Sequence, residues 1–544
     1  MLPRRTALLL ALPVALGLFG YVLLPLGRSI LVGVDPEAIG AVFGRGGAGW
    51  RGMANSVGVS LATVVLGGAL GTALAWCLWR YRLPLRGGAR VMAVVPLALP
   101  PLVGALAVWL LVGDGGVLPR LAGVALGADA LPGLTGRGAV LAVHVYSFHV
   151  YYTLFVAAAL ARLDGALLDA SADLGGSPAA AFRTVVLPAL RPALVGATLV
   201  VFMLSMGSFT APLLFAGDEP FLTTQIYGFK TNNYLDRAAA IAAVLAAVCI
   251  AFLLAAESRR PAPATTGRPP RRATEPRGHL VRRLVVVPFV FTTLALLALP
   301  VVTVLLLSLV AEGAWTTQIL PTELTFDHYV ALATDREVFA PVASSLWMAG
   351  VATGVAVVFG TAVALVVTKS KLRGRGALRL ASLLPFALPG PVVALALLVW
   401  FGAPSAWAGG AVLVGSVWLL PLAYAVRHLP LVVRASQASL EGFDDRLTEA
   451  ANDLGASGWT AFRTVVLPAI RPGVLAGALL AFVSALGEFP ASVLLYVFAN
   501  RPIAVEVLSR MRAYDLGAAA AYAVLLMILV AVAAAVARRP GEAA

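Results

Sequence analysis

LDASADLGGSPAAAFRTVVLPALRP, residues 168–192, returns as TEAANDLGASGWTAFRTVVLPAIRP at residues 448–472. Sixteen of the 25 positions are identical at a separation of 280 residues, and from AFRTVVLPALRP onward eleven of twelve are. Each copy reads as two short helices joined by a turn. An Ala-rich helix former comes first, and Gly175 or Gly455 then stands where a helix commonly ends at positive φ. Ser177 can cap a second helix that has Pro178 in its first turn and Pro188 at its close, and Ser457 can cap its counterpart without the proline. Asp169 and Asp173 are four residues apart and share one helical face, as do Glu449 and Asp453. No histidine, nucleophile or metal-ligand set lies near them in sequence, so an acidic face that meets a basic partner is a better use than catalysis. The repeat could also serve only to pack two halves of the protein together. Leu, Val and Phe on a loop helix facing water argue instead for an interaction site.

The surroundings of the two copies are strongly apolar. Of 544 residues 60% are hydrophobic and 12% charged, and the mean hydropathy is +0.92. A soluble domain carries about 25% charged residues. A membrane-crossing helix needs roughly 20 apolar residues, and twelve stretches meet that need: 6–32, 55–79, 91–113, 138–160, 188–216, 238–256, 284–310, 343–367, 378–402, 409–433, 469–498 and 517–537. The fold class is therefore an all-α integral membrane protein of about twelve transmembrane helices. Arg4 and Arg5 before the first stretch could open a cleaved signal peptide, but the apolar run is long and lacks a small-residue cleavage site. Cys77 and Cys249 lie far apart inside expected spans and read as packing thiols, with no metal-type spacing.

The net charge of +14 is unevenly placed. With the amino terminus inside, the inner loops hold 29 Lys and Arg against 11 Asp and Glu, and the outer loops 11 against 14. That is the positive-inside asymmetry, which puts both termini in the cytoplasm and explains the basicity without nucleic acid.

Residues 258–283, with eight arginines and five prolines, read as a flexible cytoplasmic linker between a first half at 1–257 and a second at 284–544. The halves match beyond the hooks. NSVGVSLATVVLGGALGTALAWCLW at 55–79 parallels SSLWMAGVATGVAVVFGTAVALVV at 344–367, and PLALPPLVGALAVW at 96–109 parallels PFALPGPVVALALLVW at 385–400, both offset by 289. GSFTAPLLF at 207–215 parallels GEFPASVLL at 487–495, offset by 280. Six-span halves of equal orientation are related by a pseudo-twofold axis along the membrane normal and place a shared site between them.

The second hook contains Glu449, Ala450 and Ala451, then Gly455 after three residues, then nine residues, Val465, one residue, Leu467 and Pro468. It resembles the EAA loop of ABC importer permeases, whose pattern has Ile where Val465 stands. The first hook keeps Ala170, Gly175, Leu187 and Pro188, with Asp169 for the Glu, Ser171 for the second Ala and Val185 for the Ile. The resemblance covers nearly the whole chain outside the linker, with EAA loops at about 164–192 and 444–472. It implies the type I importer permease fold in a bacterial inner membrane. It further implies that these residues couple to two copies of a cytoplasmic ATPase, and that an external solute-binding protein delivers the cargo. ATP and Mg then belong to the ATPase. The three lysines of this chain, Lys230, Lys369 and Lys371, sit in no glycine-rich phosphate cradle, and no cofactor, metal or catalytic residue is expected in it.

Candidate pathway residues are polar or helix-breaking positions at equivalent depth. Pro96 and Pro100 match Pro385 and Pro389 and could free backbone carbonyls toward a cavity or merely kink the helices. Ser208 and Phe209 correspond to Glu488 and Phe489. Glu488 is the one carboxylate deep in an expected span, where a charge costs at least about 2.5 kcal/mol, so a functional role is the default. The alternatives are a place near the outer interface or a pairing with a loop arginine. Tyr146 belongs to HVYSFHVYY at 144–152, whose His144 and His149 are about 140° apart on one helix and cannot share a metal. Interfacial or interhelical hydrogen-bonding roles suit this cluster. Among fused permeases the chain looks most like ferric-iron importers, on GSFTAPLLF, TTQIY at 223–227, GEFPASVLLY and RPIAVEVLSRMR at 501–512. Thiamine, polyamine and phosphonate importers are the alternatives. An oxygen-rich lining from Glu488 and tyrosines would suit Fe(III) or an organic cation. A twelve-span secondary transporter would instead need several intramembrane carboxylates and no paired hooks.

Overall fold

The computed structural model describes residues 4–127, 131–257, 281–315, 319 and 321–538. Residues 258–280, most of the expected linker, lie outside the described residues. In chain order the principal helices are α1 (Thr6–Gly33), α2 (Gly49–Arg80), α3 (Pro101–Val112), α4 (Gly136–Ala161), α5 (Ala179–Met206), α6 (Leu235–Glu257), α7 (Arg282–Leu307), α8 (Arg336–Lys369), α9 (Gly390–Phe401), α10 (Leu419–Glu441), α11 (Gly458–Leu486) and α12 (Leu516–Arg538).

The all-α membrane architecture is as expected, and the third and ninth stretches are interrupted at the prolines that the sequence marks there. Among the described residues ten helices are long and apolar enough to cross a bilayer, with one further bent pair. The third stretch is broken into Arg86–Met92, Val95–Ala98 and α3, and the ninth into Arg375–Ala387 and α9, which meet at 111°. The break falls at the same place twice. Leu99 and Leu388 are extended, at ψ 123° and 139°, because each precedes a proline whose ring excludes the helical conformation. The tenth stretch, expected at 409–433, is displaced to Leu419–Glu441. Gly409, Gly410 and Gly415 all take positive φ and hold the preceding residues in turns.

Among the described residues four helices contain a five-residue π-turn: Phe19–Leu23, Phe182–Val186, Arg282–Val286 and Phe462–Val466. In each case a proline stands two residues beyond the turn: Pro25, Pro188, Pro288 and Pro468. A proline has no N–H to give and its ring crowds the carbonyl four residues back. The wider turn lets the helix pass it. Pro188 therefore does not close a short helix, as the local pattern suggested; the hook's second helix runs on into α5.

In each half three helices pack together, α2 with α4 and α5, and α8 with α10 and α11. A glycine at the same position makes the first crossing in both. A Cβ on Gly71 would lie 2.2 Å from the His149 carbonyl oxygen, and one on Gly360 3.0 Å from Val432 Cβ. Close backbone approach at small residues is how membrane helices gain packing when lipid competes for apolar surface. Gly71→Val is expected to lower stability by about 1–3 kcal/mol or more. The thermal midpoint of the purified chain measures this, and an unchanged midpoint would refute so tight a crossing.

The first helix of each half crosses to the other half. Helix α1 packs on α8, α9 and Arg375–Ala387, and α7 packs on α3 and on Arg86–Met92. Tyr21 donates to the Trp407 carbonyl at 2.7 Å and stacks at 6.0 Å on Phe401. On α7, the Leu297 carbonyl accepts from Tyr146 of α4 at 3.3 Å. The exchange ties the halves into one body.

Candidate functional site

Both hooks fold as their local chemistry demands. Helices Gly165–Asp173 and Arg446–Asp453 end before Gly175 and Gly455, at φ 76° and 86°, where a side chain would be strained. Ser177 Oγ accepts from the Ala180 amide and Ser457 Oγ from the Thr460 amide, each at 3.2 Å. Asp169, Ala170, Glu449 and Ala450 are exposed and Ala451 is half-buried. Between the two short helices Leu174 and Leu454 are 88% and 90% exposed. Leu167 and Leu447, about two turns of helix before the glycine bend, are also exposed. Leu187 and Leu467, with Pro188 and Pro468, are exposed at the base of α5 and α11. Each hook thus presents acid and leucine side by side on a surface that nothing among the described residues covers. The chain anchors the hooks from behind: Trp76 meets Phe182 edge-on at 5.1 Å, and Lys369 pairs with Asp445 at 2.7 Å.

The second candidate region lies where the halves meet. Phe209 and Phe489, 1% and 0% exposed, touch each other with ring centroids 5.7 Å apart. Beside them Gly207 faces Pro389, and Gly487 faces Pro100, with built Cβ positions 3.3 and 3.1 Å from the proline rings. Pro100, Pro389, Phe209 and Phe489 are therefore brought together around the pseudo-twofold axis. They close the seam at this level, and the proline breaks pack against glycines instead of opening a cavity. Half-buried Ser208 adjoins them, its carbonyl accepting from Thr223 Oγ1 at 2.8 Å, while Tyr227 of the same short helix lies 5.6 Å from Phe209. Tyr146 is not part of this group; its hydroxyl goes to α7.

Glu488 is buried and paired, though with a helix and not a loop. Its Oε2 accepts from Arg427 Nε of α10 at 3.1 Å and lies 3.8 Å from His428 Nε2, while Oε1 accepts from the Ala491 amide at 3.0 Å. Ser492 donates to the Glu488 carbonyl and is joined to Tyr424 at 2.7 Å. Both oxygens of the carboxylate are thus engaged. Arg427 Nη1 and His428 Nε2 are buried without a hydrogen-bond partner among the described residues. At the equivalent positions, offset by 280, the first half has Ser147 and Ser208. Sequence reasoning overlooked Arg427, although an arginine between Val426 and Leu429 within an apolar stretch is itself a signal of intramembrane pairing.

The histidines of the fourth helix hydrogen-bond separately. His144 Nδ1 meets Ser205 Oγ at 2.9 Å, and His149 Nδ1 meets the carbonyls of Val145 and Tyr146 at 3.1 and 2.9 Å. Among the described residues no three His, Cys, Asp or Glu side chains converge as metal ligands. A second ion cluster lies in the short helix Ile503–Arg512. Buried Glu506 bridges Arg501 at 2.9 Å and Arg510 at 2.8 Å, and Arg510 also reaches Asp515 at 3.1 Å. Burial alone would lower the Arg510 pKa, but the hydrogen bonds and charge of Glu506 and Asp515 outweigh it and raise it.

Comparison with known proteins agrees with the duplication. The family described as "Binding-protein-dependent transport system inner membrane component" matches residues 65–259 and again 356–539. A probable ABC transporter permease protein of Sinorhizobium fredii is 29% identical over 486 residues, covering 88% of this chain and 84% of the relative. A ferric transport system permease protein of Actinobacillus pleuropneumoniae is 24% identical over 507 residues, covering 91% of this chain and 71% of the relative. A sulfate transport system permease protein of Escherichia coli is 34% identical over 215 residues, covering 38% of this chain and 77% of the relative.

Proposed function

This chain belongs to the binding-protein-dependent transport inner membrane components, as an ABC importer permease with two family domains fused in one polypeptide, and from that premise we propose that it forms the transmembrane pathway for ferric iron. The boundaries proposed for the two domains are 1–257 and 284–544, with both termini and the intervening linker in the cytoplasm of a bacterial inner membrane. One ATPase subunit docks on each hook, through Asp169, Ala170 and Gly175 in the first and through Glu449, Ala450, Ala451 and Gly455 in the second. Leu187, Pro188, Leu467 and Pro468 carry the displacement into α5 and α11. ATP and Mg are bound and used by the partner. An external solute-binding protein delivers the cargo, and the Phe209 and Phe489 seam parts as the halves rock.

The observation that carries coupling is the paired exposure of Leu174 and Leu454, 88% and 90%, on matched acidic hooks. The support for iron is the relative named for ferric transport, aligned over 91% of this chain. One feature favours a second cargo class, an oxyanion. Arg427 neutralises Glu488 and leaves Nη1 unsatisfied beside the seam, next to Gly390, and 215 residues of the chain align at 34% identity with a sulfate permease. The test is uptake into vesicles holding the permease and its ATPase, with binding protein outside and ATP inside. Radioactive ferric ion is expected to accumulate and sulfate or molybdate not to. Oxyanion uptake alone would overturn iron, and uptake driven by an ion gradient without ATP would overturn the importer assignment.

A further inference from the structure

A groove of about 850 Å³ runs down the first half between α2, α4 and α5. Its walls are apolar, from Val65, Ala69, Leu190 and Leu194, and its end beside the hook carries Arg80 and Arg183. From Val65 to Arg80 it follows α2 for about 22 Å at 1.5 Å per residue, somewhat more than one leaflet of a roughly 30 Å hydrocarbon core. It opens away from the seam. Thr198 lines it, whereas Gly207, nine residues on, faces Pro389 of the other half; nine residues turn a helix by about 180°. Val65 and Leu66 are 66% and 48% exposed at its rim, at bilayer depth. The solvent on that side is lipid.

The two arginines have no acidic partner among the described residues. The second half shows what neutralisation looks like. Lys369 stands at the position of Arg80, and Asp445 pairs with it at 2.7 Å. The first half has Gly165 where Asp445 would be, so Arg80 keeps its charge inside a half-buried apolar channel. The second half also has Val357 for Gly68 and Val432 for Tyr152 on the groove floor.

We infer that this groove binds one anionic phospholipid, its phosphate between Arg80 and Arg183 and an acyl chain along α2 and α5. Basic pockets between membrane helices on the cytoplasmic side select anionic headgroups, at about 1 kcal/mol for each basic residue. Ala179, Phe182 and Arg183 belong to the hook's second helix, so the lipid sits against the element proposed to transmit force in the first half alone. The leaflet assignment rests on reading the hooks as cytoplasmic; the binding itself does not involve the ATPase and fails or holds independently of it.

Native mass spectrometry of the full chain in neutral detergent, titrated with phosphatidylglycerol or with phosphatidylcholine of the same acyl chains, tests the site. One phosphatidylglycerol is expected to bind with at least tenfold preference. Arg80→Gln with Arg183→Gln should weaken it about 30-fold, and Arg80→Lys with Arg183→Lys should retain it. Ala69→Trp, which fills the channel and leaves both arginines in place, should block it. Millimolar inorganic phosphate should not displace the lipid. Equal binding of both lipids, indifference to the glutamine or tryptophan variants, or displacement by phosphate would each overturn the proposal.

Discussion

Leu174→Asp combined with Leu454→Asp is expected to reduce ATP-driven uptake to background while the chain inserts and folds as before. Both side chains are almost wholly exposed, so the chain itself loses no buried area, and surface changes of this kind usually stay within about 0.5 kcal/mol of stability. A docked ATPase would cover them. Burying a leucine contributes about 1.5–3 kcal/mol, so losing one at each hook weakens the docking of each ATPase by roughly 10-fold to 150-fold. The added carboxylates stand among existing acids and deepen the loss only where the partner surface is apolar. Co-purification of the ATPase with the double variant measures docking, and the thermal midpoint of the permease controls for folding. Uptake at the unsubstituted rate would refute coupling through the hooks. Each single variant should leave one ATPase attached and reveal whether the first hook, with its Asp169 and Ser171, grips as strongly as the second.

The second large effect concerns the buried pair Arg427 and Glu488. Glu488→Leu leaves the Arg427 guanidinium in the interior with His428 beside it and no carboxylate nearby. Breaking a buried pair from one side costs about 3–5 kcal/mol, because the remaining charge is stranded. Arg427→Leu strands the Glu488 carboxylate in the same way. With both replaced by leucine, neither charge remains to be desolvated, and most of the stability is expected to return. Unfolding free energies of the four proteins, from denaturant midpoints and slopes, give the coupling energy. A double variant no more stable than the weaker single one would show that the pair does not act as a unit. Transport separates the roles further: if the pair only holds α10 to the 487–491 turn, the stable double variant transports normally, whereas a pathway role leaves it folded and slow.

The parts of the site that were legible in the sequence are the local ones. Gly175 and Gly455 take positive φ, and Ser177 and Ser457 cap, because these outcomes depend on the few residues around them. Pro188 shows the limit of local pattern, since a proline that should end a helix can be passed by a π-turn just before it. The seam was half legible. Matching offsets pointed to Phe209, Phe489, Pro100 and Pro389 as equivalents without saying that they touch. Tyr146 shares only polarity with this group, and its hydroxyl goes to Leu297. The sequence does not point to Arg427 as the partner of Glu488, because it lies in a stretch whose average hydropathy hides one charge.

By itself, the sequence determined that the chain spans a membrane repeatedly, that it is duplicated, and where the hooks stand. Length of an apolar run, spacing of a repeat and backbone freedom of a glycine are properties of neighbouring residues. Tertiary structure alone decided that α1 and α7 trade halves, that Phe209 meets Phe489, and that Arg427 reaches Glu488. Within a bilayer, lipid satisfies an apolar helix face as well as another helix does, so hydropathy does not choose the neighbour. Steric fit at Gly71 and Gly360 and the pairing of the few buried polar groups make that choice, in three dimensions.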